Sequence, residues 1–122
     1  PSANSNIDDT VEPRDQTDVA AEKTNVQVLI SDATQYGDTV EIRAFIPGRN
    51  EDGACKYSFY SGGVEKNVIT TEAFADASST ICVNQELPVR DFDKSGKWTV
   101  TVSYESENFI GMSDNRDFEV TK

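Results

Sequence analysis

Between 97 and 104 the chain reads KWTVTVSY, in which Trp98, Val100, Val102 and Tyr104 alternate with Lys97, Thr99, Thr101 and Ser103. Period two with one apolar and one polar face is the pattern of a half-buried antiparallel strand. The only tryptophan of the chain opens the apolar face, directly after a turn at Asp93 to Gly96. A chain built around such a strand must supply others for it to pair with.

The length of 122 residues suffices for one domain with a real core and falls short of two ordinary ones. A net charge of −11 sets it against phosphate backbones and anionic lipid, so nucleic acid and membrane surfaces are poor partners. Histidine is absent, which removes the Ser-His-Asp triad, the Cys-His pair and the imidazole ligand. No apolar run approaches the roughly 18 residues of a membrane span. A chain beginning at Pro1 reads as a trimmed fragment whose export signal or anchor lies upstream.

Residues 1–23 carry six acids against two bases and only Ile7, Val11 and Val19 as sizeable aliphatics. Such a segment cannot offset its ordering entropy, and a disordered acidic stalk or linker is expected. Residues 24–122 are expected to form one domain. A first strand ends near Asp32, followed by a turn at Gln35-Tyr36-Gly37-Asp38, and a second runs through Val40, Ile42, Ala44 and Ile46 to Pro47-Gly48. Cys55, Tyr57 and Phe59 face inward from a third, and residues 64–71 make a more polar fourth suited to an edge. Residues 73–80 read as a loop. Ile81, Val83, Leu87 and Val89 give the inner face of a fifth, 97–104 is the sixth, and about 111–121 the seventh. Seven short strands separated by turns argue for an all-β, antiparallel sandwich.

With that strand count, Leu87-x-Val89-x-x-Phe92-Asp93-x-Ser95-Gly96-x-Trp98-x-Val100 resembles the E–F corner of immunoglobulin-like domains. Trp98 stands where that family has its corner tyrosine, and Val100 where it has the second inter-sheet cysteine. The form of the strand looks more like the immunoglobulin-like and fibronectin-type-III-like modules of bacterial surface or secreted proteins. The resemblance implies a fold, with Asp93, Gly96 and Trp98 as structural corner residues, and implies almost nothing about function.

Cys55 and Cys82 are the only cysteines. In an up-and-down order the third and fifth strands run the same way, which brings the two thiols to one pole. A disulfide is expected, and with it an oxidising, extracellular or cell-surface location. Against it, Cys82 has the opposite parity to Ile81 and Val83. Two free thiols in a cytoplasmic protein, or a metal or redox pair, are the alternatives, the latter weakened by a spacing that is not C-x-x-C.

Asp91 to Gly96 fits the first half of a calcium loop, D-x-D-x-S-G, but its twelfth position is Val102, where a bidentate acid is required. The run therefore reads as the corner turn, with Asp93 and Ser95 bonding local backbone and Gly96 in a dihedral closed to other residues. No metal or cofactor is expected. No acid pair has the apolar setting that glycosidase chemistry requires, and no enzyme activity is expected. A Lys–Asn isopeptide bond can be drawn from Lys23 or Lys56 to Asn115. The loops 47–54, 73–80 and 105–111 should share one pole, where Phe109, Ile110 and Met112 form a possible recognition loop, unless Phe109 or Ile110 folds back to plug the core. The expectation is a non-enzymatic module for adhesion, assembly or spacing that meets a protein or glycan at a bacterial cell surface. The alternative is a carbohydrate- or calcium-binding accessory module of an extracellular enzyme.

Overall fold

The computed structural model describes residues 23–122. The expected stalk, apart from Lys23, lies outside the described residues. The described chain is all-β, with strands β1 (Thr24–Asn25), β2 (Leu29–Tyr36), β3 (Thr39–Pro47), β4 (Gly53–Ser61), β5 (Val64–Ala75), β6 (Ser79–Cys82), β7 (Gln85–Pro88), β8 (Gly96–Ser106), β9 (Phe109–Met112) and β10 (Arg116–Val120), and one 3-10 turn at Val89–Asp91. They form a single curled sheet in the order β1-β9-β8-β4-β5-β6-β3-β2, with β10 also on β8 and β7 also on β3. Every pairing is antiparallel except that of β1 with β9.

The count exceeds the expected seven because three expected strands are interrupted. The first breaks after Asn25, and its continuation β2 carries an irregularity between Ile30 and Asp32 that brings Ala33 to the core face. The fifth is split into β6 and β7, end to end along β3, because Val83 leaves that ladder: its N–H donates to Glu72 O and its carbonyl accepts the Tyr57 hydroxyl. The seventh is split into β9 and β10 along β8 at Ser113. There the side chain stands in for backbone: Ser113 Oγ accepts the Val102 N–H at 2.9 Å while the Ser113 N–H donates to Val102 O.

Two expected loops are strand. Residues 73–80 contribute Ala73 to Ala75 to β5 and Ser79 and Thr80 to β6, and 105–111 is a tight hairpin between β8 and β9. The core is filled by Val40, Ile42, Ala44 and Ile46 of β3, Tyr57 and Phe59 of β4, all four apolar residues of β8, and Phe118 and Val120 of β10. Phe92 joins Phe59, Trp98 and Phe118 edge to face, with ring centroids 5.0 to 6.3 Å apart across the cluster. The Gln35 side-chain amide pairs with the Thr121 backbone in both directions, and Arg116 reaches Ile30 O, so side chains hold β2 beside β10.

Candidate functional site

At the corner, the Trp98 indole N–H donates to Lys94 O, four residues upstream. A buried indole thus closes the turn with its one donor. Gly96 has φ +117°, in the region that favours glycine. The other two polar corner residues do not bond locally: Ser95 Oγ accepts from the Lys122 N–H, and Asp93 faces Lys66 at 3.6 Å. Behind the turn lies a cavity of about 130 Å³ bounded by Phe59, Leu87, Phe92 and Trp98. That is well below the ~300 Å³ at which small-molecule sites begin.

The disulfide between Cys55 and Cys82 is formed, with Cα atoms 5.8 Å apart. β4 and β6 are both antiparallel to β5 and therefore run the same way. The bridge crosses the core from one to the other with both cysteines fully buried. The parity difficulty resolves by inversion. Thr80 and Cys82 face the core, and Ile81, expected inside, is 37% exposed.

The three segments expected at one pole are stitched together there. Gly48 N–H donates to Ser78 O, and Glu51 accepts both the backbone N–H and the side-chain amide of Asn108, at 2.9 and 3.0 Å. Tyr104, at the buried end of β8, donates its hydroxyl to Glu51 O. Phe109 is half-buried against the core with the Arg49 guanidinium 5.1 Å from its ring centre. Of the possible recognition residues, Phe109 is thus occupied, whereas Ile110 and Met112 on β9 are 40% and 68% exposed. Lys23 ion-pairs with Glu105 at 2.6 Å.

A different surface stands out. Leu29 lies opposite Phe45, Phe45 opposite Ile81, and Ile81 opposite Phe74. Directly opposed residues share a face, so these four make one apolar row over β2, β3, β6 and β5. Its length is about 14 Å at a strand spacing of ~4.8 Å. Their inward neighbours Ala44, Thr80, Cys82 and Ala73 are buried, so the row looks outward. Leu29 is 36% and Phe74 49% exposed, and Phe45 is half-buried. At the Phe74 end opens a groove of about 400 Å³ lined by Asp52, Gly53, Glu72, Ala73 and Phe74. The sequence reading missed this row because it took 73–80 for a loop and Ile81 for core. The signal was present: Cys55 faces inward, so a Cys82 bonded to it must do so too, and Ile81 must then face out.

Among the described residues three carboxylates sit below their ordinary range, Asp32 through the Thr34 hydroxyl, Glu51 through the Asn108 amide and Asp117 through the Thr99 hydroxyl. Burial pushes Tyr57 up to about 12. Among the described residues no three His, Cys, Asp or Glu side chains gather as a metal site would require, and no helix is long and apolar enough to cross a membrane. No family model, curated protein or solved structure matches this chain.

Proposed function

We propose that the chain is a non-enzymatic, extracellular module with an immunoglobulin-like lane order, serving adhesion, assembly or spacing at a bacterial cell surface. The observation that carries this reading is the row Leu29–Phe45–Ile81–Phe74. It is an exposed apolar strip on a sheet face, which suits contact with a macromolecule better than turnover of a small substrate. If β6 and β7 count as one lane and β9 and β10 as another, the ladder has seven lanes from β2 to β9/β10, outside which β1 adds an eighth, and the seven support the immunoglobulin-like reading. The disulfide supports an oxidising compartment.

The row also gives the carbohydrate-binding alternative its first specific support, because Phe45 and Phe74 lie on the same face of the sheet. A glycan array, a calcium titration followed by thermal unfolding, and adherence of protein-coated beads to immobilised extracellular proteins separate the readings. Adherence to protein with silence toward sugars and calcium is expected. A sugar signal lost in Phe74→Ser/Ile81→Ser would make the chain a carbohydrate module.

A further inference from the structure

We infer that the outward row, with the groove at its Phe74 end, takes a protein segment that is apolar along its length and carries Lys or Arg beside it. The inference rests on reading this face as a contact surface, and adds the chemistry of the partner. Leu29, Phe45, Ile81 and Phe74 supply the apolar strip. At its Phe74 end, Asp52 and Glu72 line the open groove beside the phenyl ring. A Lys or Arg side chain laid there puts its methylene stem on the aromatic ring and its charged head at the carboxylates. Arg43, two residues from Phe45 on the same face, does not reverse the sign, because Glu41 binds it at 2.7 Å.

Charge also selects against the two occupants nearest to hand. A second copy brings another −11, and residues 1–22 bring six acids with Arg14 as their only base. Either would set like charge against Asp52 and Glu72. A basic segment gains from the same field, which steers its approach as well as holding it.

The test uses short random peptides displayed on phage, selected against the full chain and read against two variants, Phe74→Ser/Ile81→Ser and Asp52→Asn/Glu72→Gln. Enriched peptides should combine apolar residues with an excess of Lys and Arg. They should bind about tenfold more weakly to either variant, and should lose affinity as salt is raised. Neutral or acidic peptides that depend on Phe74 and Ile81 alone would overturn the partner chemistry and leave the contact surface standing. Enrichment indifferent to both variants would overturn both. A dimer of the chain that dissociates in Phe74→Ser/Ile81→Ser, or peptide binding that appears only after residues 1–22 are removed, would make this chain its own occupant and overturn the inference. Should Phe74→Ser/Ile81→Ser unfold early, Asp52→Asn/Glu72→Gln decides alone, since the substituted amide keeps an acceptor oxygen for the Ala75 N–H that Asp52 now holds.

Discussion

The indole N–H of Trp98 donates to the carbonyl of Lys94 across 3.0 Å. The first core residue of β8 therefore also fastens the turn that delivers the chain into that strand. Side-chain burial and backbone closure meet in one residue, which is 2% exposed. Replacing it separates the two contributions. Trp98→Ala should destabilise by about 3–5 kcal/mol through lost burial and a cavity. Trp98→Phe keeps most of the packing against Phe92 but leaves Lys94 O without its donor, and should cost about 1–2 kcal/mol. Urea unfolding measures both. A change within about 0.5 kcal/mol for the alanine variant would mean the corner does not hold the fold.

The disulfide spans 27 positions of sequence and joins two strands that do not pair with each other. Its loss frees a long loop in the unfolded chain, so Cys55→Ala/Cys82→Ala should destabilise by about 3.5 kcal/mol. Denaturant midpoints of the variant and the oxidised wild type give the difference. Equal midpoints would show that the bridge constrains nothing the core does not already fix.

Tyr57 titrates near 12 rather than 10 because burial disfavours the phenolate. A raised folded pKa means the contribution is complete below pH 10 and is lost as pH climbs from 10 to about 12, where the unfolded chain ionises first. Tyr57→Phe removes the titration along with the bond to Val83 O. Its stability should therefore fall less steeply over that window than the wild type's. Parallel slopes in urea unfolding at successive pH values would contradict the assignment.

Glu51 is held below its ordinary value by the Asn108 amide, so the sign is opposite. Its contribution is present above the ordinary carboxylate range and is lost as pH falls through the lowered pKa. Glu51→Gln should lower the melting temperature at neutral pH. The gap to wild type should close on acidification, and a gap that stays constant would place the effect elsewhere than in the carboxylate.

The fold was legible in the sequence where apolar alternation ran unbroken. Trp98 to Tyr104 and Val40 to Ile46 face inward as their period demands. It failed where a ladder was interrupted by a contact from elsewhere in the chain. Val83 turns to β5 and Ser113 substitutes its hydroxyl for backbone, and neither event leaves a local mark on composition. The proposed contact face was hidden for a related reason. A row across strands is fixed by register, which depends on where each hairpin turns, and Phe74 sat in a stretch of small residues that gave no alternation to follow. The constraint that could have exposed it came from chemistry rather than pattern. A bonded Cys82 must face the inward Cys55, and that turns Ile81 out.

Phe74 and Ile81 face solvent, so removing their apolar side chains should cost function and leave the fold in place. The most direct measurement is adherence of protein-coated beads to immobilised extracellular proteins, comparing wild type with Phe74→Ser/Ile81→Ser, with thermal unfolding of both recorded alongside. Adherence should fall by about tenfold or more, with melting temperatures within about 4 °C of each other. Wild-type adherence that survives in the folded variant would contradict the claim that this face is the working surface of the protein.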